Sequence, residues 1–376
     1  MAKIIFNAQE LKTALGTISA AVGAGKVNPA EKNIYVRKKD DNRVEFQGGN
    51  MYLTAQIACD VKGNTPDFDE FAVDGKKITA FISKLADDEI TFEVKGKSFT
   101  ISTATASIKL SAMPDKINPI DVEAFGLVAE IAPDEFKAAV GKAIVCAMKS
   151  ETRPSMAGIN FAQTADGTFE LQSCDGRRLA VVGLPYMVLS YNGKPSDEFS
   201  HLVPAEAIST VLSMASSLKG EEKIAFKQAG RSALFEFDGV TVRINLITDT
   251  FVGVHDLIPK NYEKKINVDS AELKNALDIV SLATEENRVP LKVTVNKGTM
   301  KVATASTTSA AEITIPLLFS TITEDFIIGF NAQLLSQVVK TFAADVLKIS
   351  FGTEVQGALI ESENHTALVL PVRLRA

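Results

Sequence analysis

The sequence predicts an α+β protein made of three tandem copies of one domain, each with two helices packed on antiparallel sheets. The first observation is a helical segment that occurs at 9–15, 134–140 and 271–277, with the pattern Glu-Leu/Phe-Lys-x-Ala-Leu/Val each time. The copies are about 130 residues apart, which is a domain spacing, because solenoid repeats are about 20–50 residues long. The second observation is the period-two alternation behind the helices, which is typical of half-buried strands.

Composition limits the class of protein. A chain of 376 residues with 46% hydrophobic and 23% charged residues has the length for two to four ordinary globular domains. We expect no membrane span, because no run of 18 apolar residues occurs. The strand-like start leaves no room for a signal peptide, and Cys59, Cys146 and Cys174 form no Cys-x-x-Cys motif, so a cytoplasmic protein is expected. The net charge of −6 still allows a locally basic surface.

Each copy contains a second helix after its own short strand, so six strand-then-helix units are predicted. The second helices begin near 74, 204 and 331. Helix starts are expected at Asn7, Asp74, Asp269 and Asn331, because short polar side chains accept hydrogen bonds from the free N–H groups of a first turn.

The helices carry one apolar stripe each, with the spacing i, i+4, i+7. Leu11, Leu15 and Ile18 form it in the first helix, and the equivalent residues form it at 273–280. This spacing predicts that one face is buried and the other is wet.

Alternating runs at 222–227, 234–237 and 240–246 predict a meander, and the Asp238-Gly239 pair predicts a hairpin turn with positive φ. The C-terminus repeats this scheme.

Proline and polar residues at 113–119 and 258–264 interrupt the periodicity. The predicted domains are 1–120, 126–250 and 262–376.

No arrangement of residues predicts catalysis, a metal or a cofactor. His201, His255 and His365 are isolated, without zinc-type spacing. Gly23–Lys26 lacks the remaining residues of a phosphate-binding loop, so a glycine-rich helix end is favoured. The run 87–89 (Asp-Asp-Glu) lies between a helix and a strand and is interpreted as a solvated turn. A hydrolase that uses two of these acids is the least favoured hypothesis.

Three lysines, Lys12, Lys137 and Lys274, occupy equivalent positions in the repeated helix. They are expected to face outward and to contact duplex phosphates without sequence specificity, since lysines without interleaved aromatic residues do not suit base stacking. The alternative is a set of solubilising lysines paired with acids such as Glu10. The lysines predicted to contact DNA are Lys12, Lys26, Lys76, Lys77, Lys137, Lys142, Lys149 and Lys274. Lys84 and Lys340 also lie on polar helix faces.

Four segments in order, 152–161, 174–181, 251–261 and 370–374, carry a resemblance to a known family. With the threefold repeat as their frame, they are similar to the DNA polymerase III beta subunit, the bacterial sliding clamp. The run Asp175-Gly-Arg-Arg-Leu179 within the second segment is also compatible with a plain hairpin with solvated arginines.

The resemblance implies a homodimer of two chains joined head to tail into a ring that encloses duplex DNA, and a non-catalytic processivity factor. The implied partners are double-stranded DNA and, through short linear peptides, the replicative polymerase, the clamp loader and repair proteins. A clamp-like adaptor that binds peptides without encircling DNA is the alternative, and a chromosomal or a phage or mobile-element origin fits equally.

The resemblance also implies a peptide-binding pocket between the second and third domains. Its residues would be Arg153, Met156, Cys174, Gly176, Arg177, Leu179, Val252, Leu257, Asn331, Leu334, Val355, Leu368, Leu370, Pro371, Val372 and Arg373. The alternative is that the apolar members belong to the core. Cys174 stands where the family usually has threonine, and Val252 where it has proline. The segment 303–311 is nearly uncharged where the family has an acidic run near its interface strand.

Overall fold

A computed structural model describes residues 2–25, 28–115, 118–149, 152–164, 167–184, 199–283, 289–306 and 308–374. The chain divides into two compact units. Unit 1 contains the described parts of 1–137 and 206–246, and unit 2 contains those of 138–186, 197–205 and 247–376. The α+β class is confirmed, whereas the three exact domain boundaries stay a prediction.

The helices occur where the repeat predicts them. They are α1 Ala8–Ser19, α2 Gly75–Ile82, α3 Pro133–Ala143, α4 Ala205–Met214, α5 Val254–Leu257, α6 Ser270–Ser281 and α7 Ala332–Val339. Among these seven α-helices, the one-turn helix α5 was not predicted. The apolar stripes of α1 and α6 are fully buried, as their spacing indicates. None of the helices in the described ranges combines the length and apolar character that a bilayer crossing requires.

Strands make up most of the remaining structure. They are β1 Ala2–Asn7, β2 Asn33–Lys38, β3 Arg43–Gly49, β4 Leu53–Asp60, β5 Phe71–Asp74, β6 Glu89–Lys95, β7 Ser98–Ser102, β8 Ser107–Ser111, β9 Met113–Pro114, β10 Gly126–Ile131, β11 Gly158–Gln163, β12 Phe169–Cys174, β13 Arg178–Leu184, β14 Phe199–Pro204, β15 Ile224–Ala229, β16 Ser232–Phe237, β17 Val240–Asn245, β18 Lys264–Asp269, β19 Leu291–Val295, β20 Thr299–Ala305, β21 Ala310–Pro316, β22 Phe319–Ser320, β23 Phe326–Phe330, β24 Val346–Phe351, β25 Ala358–Ser362 and β26 His365–Val369.

Unit 1 holds two antiparallel sheets. One has the order β1-β6-β7-β8, and the other has nine strands in the order β10-β15-β16-β17-β4-β3-β2-β5-β9. The pairing of β17 with β4 joins strands that lie far apart in sequence. A group of buried phenylalanines, with Phe92 in contact with Phe6, Phe46 and Phe99, fills the core of the first copy through tilted and edge-on ring contacts.

Unit 2 has the same two kinds of sheet. Its nine-stranded sheet has the order β14-β11-β12-β13-β26-β25-β24-β18-β22, and its four-stranded sheet has the order β21-β20-β19-β23. The pairing of β13 with β26 joins the second copy to the third. We call this pairing the seam.

The local sequence signals act as predicted. Asn7, Asp74, Asp269 and Asn331 each accept backbone N–H bonds in the first turn of the helix that follows. Asp238 and Gly239 have φ values of 42° and 72°, the conformation that a tight hairpin turn between β16 and β17 requires.

Candidate functional sites

A row of four apolar side chains crosses the seam. Cys174 lies opposite Leu179, Leu179 opposite Leu368, and Leu368 opposite Leu359, so the row spans β12, β13, β26 and β25. Directly opposed residues in antiparallel strands point to the same face of the sheet. All four side chains are buried. Strand order, which no local pattern specifies, therefore brings the middle and last parts of the chain to one site.

The segment before the third copy covers this row. Val254 is buried against it, and Phe251, Val252, Ile258 and Tyr262 pack there while partly exposed. We call these ten residues the seam cluster: Cys174, Leu179, Val181, Phe251, Val252, Val254, Ile258, Tyr262, Leu359 and Leu368.

Burial sets the protonation of the two titratable groups in the seam cluster. It raises the pKa of the Cys174 thiol above its usual value and raises the pKa of Tyr262 to about 12. Both groups are therefore neutral at physiological pH. The cluster presents apolar surface, and the Cys174 thiol acts as a small hydrophobic group.

Exposed apolar side chains come from the chain segments that adjoin the cluster. The exposed fractions are 45% for Leu257, 41% for Leu370 and 39% for Val372, and Val355 reaches 77%. Leu370 is fixed by its backbone N–H, which donates to the carbonyl of Arg177 at 2.8 Å. Exposed aliphatic groups next to a buried apolar floor suit a ligand that brings apolar side chains of its own.

The predicted pocket residues divide into groups. Four of them, Cys174, Leu179, Val252 and Leu368, are members of the seam cluster, so they are partly or wholly core. Gly176 has a φ of 82° and approaches Met156, whose Sδ lies 3.8 Å from the position that a Cβ would occupy. The following predicted residues are exposed or half-buried at the surface: Arg153, Met156, Arg177, Pro371 and Arg373.

Two predicted pocket residues lie at the start of α7: Asn331 precedes the helix and Leu334 is in its first turn. The Asn331 side chain accepts from the Leu334 N–H at 2.9 Å and so begins the helix. Nothing places either residue in the seam cluster. Whether they extend the ligand site stays a prediction.

The arginines of the Asp-Gly-Arg-Arg-Leu run are not both solvated. Arg177 is exposed, but Arg178 is buried, and its guanidinium donates to Asp175 at 3.0 Å and to Gln337 Oε1 at 2.8 Å. The interpretation as a hairpin with two solvated arginines is therefore wrong for Arg178. No local pattern indicated this burial, because the partner of Arg178 on α7 is 159 residues away.

A polar network on β12 was also missed. The Glu170 carboxylate lies 2.8 Å from His255 Nε2 and accepts from Gln172 at 2.8 Å, and Gln172 accepts from Asn160 at 3.1 Å. It ties α5, and hence the covering segment of the seam cluster, to the sheet. Only the isolated His255 gave a sequence signal.

The three equivalent lysines are not free at the surface. The Nζ of Lys12 donates to a backbone carbonyl at 2.5 Å, that of Lys137 at 2.8 Å and that of Lys274 at 2.6 Å. All three side chains are partly buried. Each ammonium bonds a carbonyl beyond the end of the second helix in its own copy, so these lysines are half-buried and held in place. Their contact with duplex phosphates stays a prediction. Lys137 also pairs with Asp134 at 3.0 Å.

The other predicted lysines differ in their surroundings. Lys76, Lys77 and Lys149 are exposed, and Lys142 is half-buried. Lys76 and Lys77 lie in the first turn of α2. The positive end of the helix dipole disfavours a cation there, so these lysines do not stabilise the helix. Lys26 lies outside the described residues.

Two further lysines lie on the polar helix faces. Lys84 is exposed just beyond α2, while Lys340 forms an ion pair with Asp278 at 2.6 Å.

The described residues give no support to metal chemistry. They contain no group of three or more His, Cys, Asp or Glu side chains that could hold an ion. Within 87–89, Asp87 accepts from Thr105 at 3.0 Å and Glu89 pairs with Lys62 at 2.6 Å. Glu89 is the first residue of β6, so the interpretation of the run as a turn is wrong for that residue.

Comparison with known proteins shows what this arrangement is similar to. Two family models match the chain, the DNA polymerase III beta subunit central domain over residues 130–252 and its C-terminal domain over 255–373. A beta sliding clamp from Rickettsia felis is 23% identical over 397 residues and covers 100% of both chains.

Solved structures match over the whole length. A DNA polymerase III beta subunit from Eubacterium rectale has a TM-score of 0.89 at 17% identity, with 100% of both chains covered. A sliding clamp from Bartonella birtlesii, bound to griselimycin, has a TM-score of 0.88 at 20% identity and covers 99% of this chain and 100% of its own. The clamp fold with three domains is thereby confirmed.

Proposed function

The chain belongs to the DNA polymerase III beta subunit family, and we propose that this beta sliding clamp works as a head-to-tail homodimeric ring around duplex DNA. It is the non-catalytic processivity factor of that polymerase. The seam cluster, with its exposed aliphatic neighbours, is the observation that best supports a peptide-binding role. We propose that the replicative polymerase, the clamp loader and repair proteins bind there through short linear peptides.

The exposed aliphatic residues allow this site to be tested without damage to the core. Leu257→Ser and Leu370→Ser remove apolar surface from residues that are 45% and 41% exposed, so folding is expected to survive. Each change is expected to weaken peptide binding about tenfold or more, because contact residues near the centre of an interface carry most of its energy.

Griselimycin is a suitable probe, because a Bartonella clamp binds it. Calorimetric titration with griselimycin and with a C-terminal peptide of the host polymerase would measure the affinities. Leu318→Ser is the matched control, since Leu318 is 61% exposed in the same unit but lies between β21 and β22, away from the segments that adjoin the seam cluster. Equal affinity in all variants would remove the peptide site from this surface.

Two sheet edges support the proposed dimer. β8 ends the four-stranded sheet of unit 1 and β21 ends that of unit 2, and both strands alternate between exposed and half-buried residues over most of their length. An open edge presents unpaired backbone groups to another strand. Pairing of β8 in one chain with β21 in a second is a heterologous contact that closes into a ring when it is repeated once.

The assembly and its topology need separate measurements. Light scattering is expected to give the mass of a dimer at micromolar concentration, and a strict monomer would contradict the ring. A ring is expected to stay on closed circular DNA after a salt wash and to slide off linear DNA. A dimer that is lost equally from both would support the peptide-binding adaptor instead.

A further inference from the structure

The same hydrogen bond occurs once in each copy of the domain. Lys12 reaches the carbonyl of Leu85 beyond α2, Lys137 that of Leu218 beyond α4, and Lys274 that of Phe342 beyond α7. The partners are separated in sequence by 73, 81 and 68 residues. One long-range bond that occurs in all three copies indicates a feature of the domain rather than an accident of one surface.

The acceptors explain why a cation is needed at these places. Leu85, Leu218 and Phe342 are buried. Each lies a few residues after a helix end, where carbonyl groups lack intrahelical partners. A buried carbonyl without a donor is unfavourable, and the negative end of a helix favours a positive charge. A lysine on the neighbouring helix satisfies both requirements at once.

An ammonium group in this position is poorly placed for DNA. To contact a phosphate it would have to leave a short bond to a buried carbonyl and extend from a partly buried site. Lys76, Lys77 and Lys84 face no such cost, because they are exposed and no ion pair or side-chain hydrogen bond holds them within the described ranges.

We infer that Lys12, Lys137 and Lys274 are positioning residues that hold the two helices of each domain together, and that phosphate contact falls to the lysines at 76, 77 and 84. The first half of this inference stands on the three hydrogen bonds alone. The second half rests on the proposed function, since it presupposes that duplex DNA meets these helices.

Two matched triple variants test both halves. One carries Lys12→Met, Lys137→Met and Lys274→Met, and the other carries Lys76→Met, Lys77→Met and Lys84→Met. Each set removes three positive charges and keeps side-chain length, so the total charge change is the same. The readouts are the melting temperature and the slope of log affinity against log salt for a labelled duplex.

Opposite results are expected from the two sets. Loss of the helix bonds is expected to lower the melting temperature by about 5–10 °C, while the salt slope stays unchanged. Loss of Lys76, Lys77 and Lys84 is expected to lower the salt slope by about 2–3, because each neutralised phosphate contributes about 0.9, and to change melting little. If the first set fails to fold, Lys274→Met alone is expected to melt about 2–4 °C below the parent protein.

Three outcomes would overturn the inference. A lower salt slope in the first set, with unchanged melting, would show that Lys12, Lys137 and Lys274 contact phosphates rather than hold the helices. An unchanged slope in the second set would remove α2 from that surface. If the parent protein shows no salt-dependent binding to duplex at all, the proposed function fails together with the second half, whereas the melting temperatures still decide the first.

Discussion

The first and last helix pairs of this clamp share an internal frame. α1 and α6 start with the same kind of cap, bury the same stripe, and carry a lysine that bonds the end of the second helix. Their polar faces differ. The second helix of the first pair has Lys76 and Lys77 in its first turn and Lys84 just beyond its end, and no ion pair holds them within the described ranges. In the last pair, Lys340 is held by Asp278.

The comparison shows what duplication has kept. Interactions that hold a helix on its sheet recur in both copies, because each copy has to bury the same apolar helix face. Charged residues on the solvent-exposed face of the helices take no part in this packing, and they differ between the two copies. Equivalent positions in a repeat are therefore better evidence for a shared structural role than for a shared ligand.

The largest expected effect tests whether the two stripes are equivalent. Leu11→Ala and Leu273→Ala each remove a fully buried leucine, so each is expected to cost about 3 kcal/mol from the lost transfer energy and the remaining cavity. Chemical denaturation would measure both. Costs that differ by more than about 2 kcal/mol would show that the two helices are not anchored alike.

Acid is expected to distinguish the two units. All three histidines lie in the sequence of unit 2, and burial lowers the pKa of His365 to about 3 and that of His201 to about 4. For His365, the nearby Lys142 adds to this effect. The unfolded chain then binds more protons than the folded one between pH 6.5 and about 3, so stability falls as pH falls through that window. At pH 5 His365 alone contributes a loss of about 2 kcal/mol.

His365→Phe provides the control for this prediction. It keeps a ring that can stack on Phe342, where the centroids are 4.1 Å apart, but it cannot titrate. The variant is expected to lose about 2 kcal/mol less than the parent between pH 7 and pH 5 in urea titrations. An identical loss would show that His365 does not cause the acid sensitivity.

Loss of a helix cap is expected to cost less stability than loss of a buried leucine, and to cost about the same at both caps. Asp74→Ala and Asp269→Ala each remove an acceptor for one first-turn N–H and should cost about 1 kcal/mol. Asp74→Asn and Asp269→Asn keep an acceptor and should cost a few tenths of that. Thermal melting would check the pairs, and a cost at only one cap would weaken the comparison.

The smallest effect concerns the ion pair that distinguishes the last helix pair. Lys340 and Asp278 are each about half exposed, so Lys340→Met is expected to change stability by less than about 0.5 kcal/mol. Asp278→Asn is more informative, because it frees Lys340 without loss of the cation. A steeper salt dependence of duplex binding in that variant would show that the ion pair withholds a charge from DNA.

Much of the fold could be predicted from sequence because it is local. The caps at Asn7 and Asp269, the stripe that contains Leu11, and the turn at Asp238-Gly239 all depend on residues within a few positions of one another. The short helix α5 escaped prediction because four residues carry no periodicity.

The candidate sites could be predicted only in part. Family resemblance gave Cys174, Leu179 and Leu368, but not their cover by Val254, nor the buried role of Arg178. Those contacts depend on which strands become neighbours. Sequence spacing likewise placed the three equivalent lysines at the same position of each helix, but it gave no sign of the carbonyl groups that they bond.

Hydrophobic period and capping act over a few residues, so they specify the threefold repeat, the positions of the helices and the faces that the helices bury. Tertiary structure alone decided the seam row and the partners of Lys12, Lys137 and Lys274. The reason is physical: a long lysine side chain can reach either solvent or a buried carbonyl. The fold decides between the two, because it brings a buried backbone carbonyl from about 70–80 residues away in sequence next to the ammonium group.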